Sequence, residues 1–349
     1  MDAMVRVGIL GATGAVGEAL LRVLLGHPEA TLTFLGSDHA AGARVDAALP
    51  VLRGQTDAVL RKPDLAGFAA EADVVFLAKK GADSMEWAPK LLAAGLKAID
   101  CGGEFRFRDP AVYERFYGTK HTCPELLHEA VFGLPELYRE RIAAARLVAT
   151  PGCYPASAIL PLAPLLAEGL VAPAGIVVDS YSGISGAGKT YSDKARNLFV
   201  NCDENCRAYS PLTHRHAPEI EQELSLAAGT PATALFVPHL LPVDRGILTA
   251  IFADLARPAA TADVVAAWRR RYAAEPFIRL FDKLDDVELA NVHRTNYCDF
   301  AAIVDPRTSK VVISSALDNV IKGACGMAVQ CMNLMFGIPE TTGLLHRCV

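Results

Sequence analysis

The chain has 349 residues, of which 52% are hydrophobic and 21% are charged, and its formal net charge is −5. Such a composition is typical of globular proteins with a large core, and the length favours two domains. A negative net charge offers no basic surface for nucleic acid or an anionic membrane. No apolar run reaches the roughly 18 residues of a membrane span. We therefore expect neither partner.

The nine cysteines are scattered along the chain and include no Cys-x-x-Cys pair. Cys202 and Cys206 lie four apart, but no second pair completes a zinc site. Residues 1–5 lead directly into a predicted strand, which is not the pattern of a signal peptide. We expect thiols, no metal and a cytoplasmic location.

The first predicted strand, Val5–Leu10, runs into the glycine-rich sequence GATGAVG and then into an apolar helical pattern. Strand, glycine turn and helix N-terminus together form an anion site, where backbone N–H groups face a phosphate. The spacing is G-x-x-G-x-x-G, and a tight turn without a ligand is the alternative. The predicted cofactor-binding residues of this turn are Gly11, Thr13, Gly14, Ala15, Val16 and Gly17.

The second predicted strand, 31–36, ends at Ser37 and Asp38, where the adenosine ribose of a dinucleotide is expected. An acidic residue at this position favours NAD. The hydroxyl of Ser37, with His39 or Arg44 nearby, favours the extra phosphate of NADP. The residues alone leave the choice of cofactor open.

Two further strands are predicted at 73–78 and 97–100, with a helix around 84–94 between them. This alternation indicates a Rossmann-type, doubly wound parallel sheet. Arg106 follows the fourth strand, on the side of such sheets that carries ligands, so it is predicted to hold an anionic group of the substrate. A surface salt bridge is the alternative.

Cys153 has the most suggestive setting of the cysteines. It follows a short predicted strand, 147–149, and begins a run of apolar and small residues that favours a helix to Leu166 despite two prolines. The positive end of a helix lowers the pKa of a thiol, and the thiolate is the nucleophile. Cys153 is therefore a candidate catalytic residue, with a buried structural thiol as the alternative.

Residues 183–190, GISGAGKT, match the phosphate-binding pattern of nucleoside triphosphatases. A phosphate loop usually opens the first helix of its α/β unit, whereas this segment lies mid-chain and lacks an apolar stripe after it. We interpret the match as coincidental. Its backbone amides and Lys189 are instead predicted to bind an anionic group of the substrate.

His214 and His216 precede a predicted helix that has Pro218 and Glu219 in its first turn. A cysteine nucleophile needs a proton partner, and either histidine is a candidate general acid–base. Two ordinary loop histidines are the alternative. His239, at a strand end, is a further candidate, although such histidines are more often structural.

The remaining pattern predicts a second, α+β domain with a mixed, largely antiparallel sheet, whose strands are 176–182, 233–237, 247–254, 299–305 and 310–315. An amphipathic helix over 318–336 is predicted to return to the first domain. The predicted domains are therefore 1–150 plus 316–349, which binds the dinucleotide, and 151–315, which carries catalysis and oligomerisation. A nicotinamide site with a cysteine nucleophile suits reduction of an activated acyl group such as an acyl phosphate.

Over its whole length the chain resembles the N-acetyl-gamma-glutamyl-phosphate reductase family. The resemblance is carried by GATGAVG at 11–17, DCGGEFR at 100–106, PGCYP at 151–155, SGISGAGK at 182–189, HRHAPEI at 214–220 and DNVIKGACGMAVQCMN at 318–333. It implies NADPH-dependent reduction of an acyl phosphate to a semialdehyde through a cysteine thioester, in a homodimer or homotetramer. The family shares its fold with aspartate-semialdehyde dehydrogenase, which is an alternative activity.

The resemblance also implies roles for individual residues. Cys153 matches the nucleophile and the HRH segment the acid–base region, where we favour His216 over His214. The residues implied on the substrate side are Arg106, Ser182, Ser185, Gly186 and Lys189, and Asn319 is implied near the nicotinamide of the cofactor. Glu104 and the Asp38-His39 pair depart from the family pattern. A related reductase of lysine biosynthesis, whose substrate is one carbon longer, stays open as an alternative.

Overall fold

The computed structural model describes residues 4–79, 81–187 and 199–345. The chain forms two compact units, Met1–Pro151 with Ala324–Val349, and Gly152–Gly323. Across the described residues, no helix has both the length and the apolar character needed to span a membrane.

The first unit alternates strands and helices along the chain. Its strands are β1 (Val5–Leu10), β2 (Ala30–Gly36), β3 (Val74–Leu77), β4 (Lys97–Asp100), β5 (Val131–Phe132) and β6 (Leu147–Ala149). Its helices before residue 151 are α1 (Ala15–Leu24), α2 (Val45–Ala48), α3 (Leu65–Glu71), α4 (Ala82–Ala93), α5 (Pro110–Tyr117), α6 (Leu126–Glu129) and α7 (Pro135–Ala144).

The six strands form one parallel sheet in the order β2-β1-β3-β4-β6-β5. The strand order reverses beside β1, because β2 lies on one side of it and β3 on the other. All of β3 and most of β1 and β4 are buried, as expected for a parallel sheet covered by helices on both faces. The predicted doubly wound sheet is confirmed.

The second unit contains five helices and seven strands within its described residues. The helices are α8 (Cys153–Ala167), α9 (Phe199–Cys202), α10 (Ala217–Ala228), α11 (Thr261–Tyr272) and α12 (Leu289–Val292). The strands are β7 (Ile176–Ser182), β8 (Arg207–Ala208), β9 (Ala234–Leu240), β10 (Ile247–Asp254), β11 (Ile278–Leu280), β12 (Cys298–Asp305) and β13 (Lys310–Leu317).

The second sheet is mixed, with the order β11-β12-β13-β10-β7-β9-β8. Its long central pairs, β7 with β10, β10 with β13 and β12 with β13, are antiparallel, whereas β7 with β9 and β11 with β12 are parallel. Strand β7 alternates strictly between buried and half-buried residues, so one face of the sheet is buried. Helix α8 packs against β10, β13, α10 and α11. The predicted mixed second sheet is confirmed.

Helix α8 is buried along almost its whole length and contains two prolines beyond its first turn, Pro161 and Pro164. Pro164 has no N–H group, so the carbonyl of Leu160 loses the donor that a helix normally supplies. The hydroxyl of Tyr272 donates to that carbonyl at 2.6 Å, and Nε1 of Trp268 donates to the carbonyl of Pro161 at 2.8 Å. Tyr272 of α11 therefore replaces the donor that Pro164 removes, and Trp268 adds a second hydrogen bond between the two helices.

The last helical stretch differs in detail from the helix predicted over 318–336. It begins as a π-helical turn, Ile321–Cys325, and continues as α13 (Gly326–Met335) in the first unit. Oδ1 of Asp318 accepts hydrogen bonds from the backbone N–H groups of Val320 and Ile321 at 2.8 and 2.9 Å. The side chain of Asp318 therefore caps the stretch and places its start two to three residues later than predicted.

Candidate active site

The glycine turn of the first unit has the geometry of a phosphate-binding turn. Gly14 caps α1 in an extended conformation, and Gly11 has a φ of +91°, which favours glycine. A Cβ on Gly17 would lie 2.2 Å from the carbonyl oxygen of Gly11, so only glycine permits this close packing of α1 on the turn. The first turn of α1 then presents backbone N–H groups that have no carbonyl acceptor within the helix.

Ser37 joins this turn through its side chain. Its Oγ lies 3.0 Å from Oγ1 of Thr13 and accepts a hydrogen bond from the N–H of Ala40 at 3.3 Å. Ser37 is buried, with 2% of its surface exposed. The structure therefore brings together two of the predicted cofactor residues, Thr13 and Ser37, at the ends of neighbouring strands.

A buried acidic cluster follows β4. The carboxylate of Asp100 accepts hydrogen bonds from the N–H groups of Gly102 and Gly103 at 3.0 and 3.1 Å. Oε1 of Glu104 accepts one from the N–H of Gly81 at 2.7 Å. Both carboxyl groups are almost fully buried. The cluster therefore fixes the loop after β4 and ties it to the start of α4.

Arg106, predicted to hold an anionic group, is itself 7% exposed. Its Nε donates to the carbonyl oxygen of Thr150 at 2.7 Å, in the segment that leads out of β6. Burial and the nearby negative charge of Asp100 raise the pKa of Glu104 to about 7, although the N–H of Gly81 and the charge of Arg106 oppose the shift. Glu104 is therefore a proton-binding group near neutral pH.

We predict that Glu104 makes the stability of the first unit depend on pH. The pKa of Glu104 is raised from 4.5 to about 7 in the folded protein, so the folded state binds the proton more tightly than the unfolded state does. The free energy of unfolding should therefore fall as pH rises from about 5 to about 7.5, by at most about 3 kcal/mol. Glu104→Gln should flatten this dependence in urea titrations at several pH values.

The matched control is Glu86→Gln, which removes an exposed carboxylate of α4 that is paired with Lys90. This variant should keep the pH dependence of the wild type. An equal slope in Glu104→Gln and the wild type would show that the Glu104 carboxyl is not the group that titrates.

Cys153 is the first residue of α8, directly after its N-cap residue Gly152. The positive end of the helix dipole favours an anion at this position. Gly323 of the π-helical turn packs against it, because a Cβ on Gly323 would lie 2.6 Å from Cβ of Cys153 and 3.1 Å from its Cα. The absence of a side chain at Gly323 therefore gives Cys153 the space it occupies.

The two histidines of the HRH segment have different surroundings. A Cβ on Gly152 would lie 2.4 Å from Nε2 of His216, so this ring lies against the residue that precedes Cys153. Nδ1 of His214 accepts a hydrogen bond from the backbone N–H of His216 at 3.1 Å, and the two rings are 4.7 Å apart. A neutral His214 therefore carries its proton on Nε2.

Glu219, in the first turn of α10, binds the backbone of Gly152. It is fully buried, and its Oε1 accepts a hydrogen bond from the N–H of Gly152 at 2.8 Å. The sequence suggested that Glu219 complements the helix dipole, but the structure gives it this tertiary contact. Glu219 therefore fixes the backbone directly before Cys153.

Two tyrosines lie beside the histidines. The hydroxyl of Tyr209 donates to that of Tyr154 at 2.9 Å, and the ring of Tyr154 makes edge contacts with His214 and His216. Burial raises the pKa of both phenols, and the charge of Cys153 adds to the shift. The tyrosines therefore stay protonated and present hydroxyl groups rather than phenolates.

The predicted substrate residues that follow β7 are tied to Asn319. Nδ2 of Asn319 donates to Oγ of Ser185 at 3.0 Å, and its Oδ1 accepts from the N–H of Gly246 at 2.7 Å. Gly186 lies nearby, because a Cβ there would be 3.5 Å from Nδ2 of Asn319. Asn319 was predicted to bind cofactor, and the structure places it with predicted substrate residues of the second unit.

Ser182, the last residue of β7, is buried and donates its hydroxyl proton to the carbonyl of Gly183 at 2.9 Å. The described part of the GISGAGKT segment then forms a short 3-10 turn, Ile184–Ala187. Lys189, the predicted anion-binding lysine, lies outside the described residues.

Other cysteines have surroundings that suit structural thiols. Burial raises the pKa of the Cys123 thiol to about 11, and desolvation together with the charge of Asp100 raises that of Cys101 to about 12. Cys298, Cys325 and Cys331 are fully buried. These five cysteines are therefore interpreted as structural, whereas the role of Cys153 as nucleophile stays a prediction.

Comparisons with known proteins identify the family and the fold of this chain. Residues 6–145 match the family model described as "Semialdehyde dehydrogenase, NAD binding domain", and residues 153–319 match "Semialdehyde dehydrogenase, dimerisation domain". Aspartate semialdehyde dehydrogenase II of Vibrio cholerae, complexed with ASA, aligns with a TM-score of 0.73 at 20% identity, over 96% of this chain and 99% of that one. Aspartate semialdehyde dehydrogenase of Candida albicans, with NADP, aligns with a TM-score of 0.71 at 19% identity, also over 96% of this chain and 99% of that one. At these identities the likeness shows the fold alone.

Sequence relatives are much nearer. The N-acetyl-gamma-glutamyl-phosphate reductases of Geobacter sp. (strain M21) and Symbiobacterium thermophilum are each 46% identical to this chain. That of Geobacter metallireducens is 45% identical, and all three alignments cover 98% of both chains. The chain therefore belongs to the N-acetyl-gamma-glutamyl-phosphate reductase family.

Proposed function

We propose that this chain reduces N-acetyl-gamma-glutamyl phosphate to N-acetyl-glutamate semialdehyde and phosphate, with NADPH as reductant. One observation carries the proposal. In a chain of this family, Cys153 begins the buried helix α8, and the ring of His216 lies against the residue before it. The residues that we propose as nucleophile and proton carrier therefore lie close together in the second unit.

Cys153 supplies the covalent chemistry. Its sulfur attacks the acyl carbon, a C–S bond forms, and the C–O bond to the phosphoryl group breaks, so phosphate leaves and a thioester stays on Cys153. When bound, NADPH supplies the hydride that reduces this thioester. The C–S bond then breaks, the aldehyde is released, and the thiol is restored.

His216 holds the proton in this scheme. It accepts the thiol proton of Cys153 and returns a proton when the C–S bond breaks. His214 acts as a positioning residue, because its Nδ1 holds the backbone N–H of His216. Glu219 supports the same turn through the N–H of Gly152.

The matched NAD binding domain assigns a nicotinamide dinucleotide to this chain as its cofactor. The glycine turn fits it, because the missing side chain of Gly17 lets α1 pack directly on the turn after β1, where the first N–H groups of the helix can bind a phosphate. We propose that the first unit binds NADP at Gly11, Thr13, Gly14, Ala15, Val16, Gly17 and Ser37, with Asn319 near the nicotinamide. The second unit then carries catalysis and dimerisation.

The substrate is doubly anionic at its phosphate and carries a carboxylate, so it needs cations and N–H donors. We propose that these come from Arg106, Ser182, Ser185, Gly186 and Lys189. A cytoplasmic location is also part of the proposal, since the eight cysteines in the described part of the chain are thiols, which suits a reducing compartment.

The reverse reaction tests the activity directly. Purified protein is mixed with N-acetyl-glutamate semialdehyde, phosphate and NADP, and the absorbance of NADPH is followed. We expect kcat/KM to be at least about 10-fold higher than with the semialdehyde that is one methylene longer, which is the size of effect that one methylene has in a fitted pocket. A preference for the longer substrate would move the chain to lysine biosynthesis, and a preference for aspartate semialdehyde would refute the proposal.

We also propose a homodimer formed through the half-exposed face of the second sheet. An apolar row crosses this face in register, with Phe252 between its neighbours Val177 and Val312, and Leu235 and Ile303 beyond them. Phe252, Leu235 and Ile303 are 39, 49 and 51% exposed. The unit that carries the row matches a dimerisation domain, so the occupant that we propose is a second copy of this chain.

Phe252→Glu should convert the dimer to monomers, because it places a charge in the middle of the apolar row. Light scattering coupled to size-exclusion chromatography measures the mass at micromolar concentration. The control is Leu226→Glu, at a residue of α10 that is 41% exposed. A dimer that survives Phe252→Glu would place the interface elsewhere.

A further inference from the structure

A lysine of the first unit lies across the glycine turn. Lys79 follows β3 by two residues, and a Cβ on Gly11 would lie 2.9 Å from Cγ of Lys79. The carbonyl of Lys79 accepts a hydrogen bond from Oγ of Ser84 at 3.1 Å. The backbone of Lys79 is therefore fixed, and its aliphatic stem packs over Gly11.

The ammonium group of Lys79 reaches the end of β2. It forms an ion pair with Asp38, the residue after Ser37, and a second pair with Asp83 at 3.1 Å. Partial burial lowers the pKa of Lys79, but the bonds to Asp38 and Asp83 outweigh this effect and the net pKa is raised. Lys79 therefore stays charged beside Asp38.

The end of β2 is where an adenosine ribose is held in a sheet of this type. An unpaired Asp38 would accept the 2′-hydroxyl of NAD and repel the 2′-phosphate of NADP. Arg44, another cation near this strand end in sequence, is held by Asp46 at 2.9 Å and Asp57 at 2.6 Å. Lys79, by contrast, already lies against the carboxylate that would oppose the phosphate.

We propose that Lys79 is the cation that receives the 2′-phosphate of NADP, and that it does so by exchanging its bond to Asp38 for one to the phosphate. The inference rests on the proposed function, of which it specifies the cofactor. Asp38 is able to leave, because its side chain is 42% exposed to solvent. The phosphate carries more charge than the carboxylate, so the exchange favours the phosphate.

Binding of cofactor fragments tests this role without turnover. Adenosine 2′,5′-bisphosphate and AMP are titrated by calorimetry into the wild type, Lys79→Gln and Lys90→Gln. Glutamine keeps most of the stem over Gly11 and removes the charge. Lys90 is an exposed control in α4, where it pairs with Glu86.

We expect the wild type to bind the bisphosphate at least about 10-fold more tightly than AMP. Lys79→Gln should weaken the binding of the bisphosphate by about 10- to 100-fold, which corresponds to the loss of one charged hydrogen bond. The same variant should change the affinity for AMP by less than about 3-fold. Lys90→Gln should leave the affinities for both ligands unchanged. Equal weakening of both ligands, or an unchanged ratio, would overturn the role of Lys79.

A second variant tests the exchange itself. Asp38→Asn removes the competing negative charge. It should increase the affinity for the bisphosphate by about 3- to 10-fold, since a like charge no longer faces the phosphate. Unchanged or weaker binding would overturn the exchange. Because no substrate is reduced in these titrations, the result is independent of the acyl-phosphate assay, so the two proposals can fail separately.

Discussion

Cys153→Ser should lower kcat for the semialdehyde reaction by about 1000-fold or more. A serine hydroxyl at the same helix N-terminus is a far weaker nucleophile, because it is not ionised at neutral pH. The side chain is nearly isosteric, so α8 and its contact with Gly323 should be retained. Steady-state kinetics with NADP and phosphate in excess measures the effect.

Two further measurements make this result specific. Calorimetric binding of NADP to Cys153→Ser should match the wild type within about 3-fold, because the glycine turn of the first unit is unchanged. The control is Cys206→Ser, at an exposed cysteine, which should keep wild-type turnover. Turnover by Cys153→Ser within about 10-fold of the wild type would refute the nucleophile assignment.

His216→Gln should lower kcat by about 100- to 1000-fold, and His214→Gln by about 10-fold. His216 lies against Gly152 and is the proton carrier that we propose, whereas His214 acts through its hydrogen bond to the backbone of His216. The acid–base role also predicts that the pH profile of kcat/KM loses one ionisation in His216→Gln. The profile should keep that ionisation in His214→Gln.

The comparison of the two histidines contains its own control, since both variants remove an imidazole from the same aromatic cluster. A merely structural loss would lower both activities similarly and leave the shape of both pH profiles unchanged. If His214→Gln shows the larger loss and the altered profile, the two roles must be exchanged.

The sequence predicted the framework of the molecule well. Apolar runs bounded by turn residues predicted strands at 5–10, 176–182 and 247–254, which coincide with β1, β7 and β10. These elements have a local signal, because periodicity and glycine placement depend on the chain itself. The family predicted from the ordered motifs is confirmed by relatives that align over almost the whole chain.

The site was predicted only in part, because its decisive contacts join residues far apart in the chain. Nothing near the HRH segment in sequence indicates that the ring of His216, and not the ring of His214, lies against Gly152. Glu219 has the local pattern of a helix-dipole residue, yet its carboxylate holds the N–H of Gly152. Gly323 was missed altogether, since a glycine in an apolar helical run has no local pattern that indicates contact with a cysteine.

The GISGAGKT segment shows how a short pattern misleads. Its described part is a 3-10 turn, in which Ser185 donates to the carbonyl of Asp244 at 2.7 Å and accepts from Asn319. The chain belongs to a reductase family and not to a triphosphatase family. Eight letters specify a pattern, but the preceding strand and the following helix decide what the turn does.

The prolines of α8 make this helix dependent on the rest of the second unit. A segment with Pro161 and Pro164 cannot close its own hydrogen-bond ladder, so an isolated peptide of this sequence would be a poor helix. Tyr272 and Trp268 of α11, more than a hundred residues later in the chain, donate to two carbonyls of this segment. The helix that carries Cys153 at its N-terminus therefore depends on a tertiary contact with α11 and not on its local sequence alone.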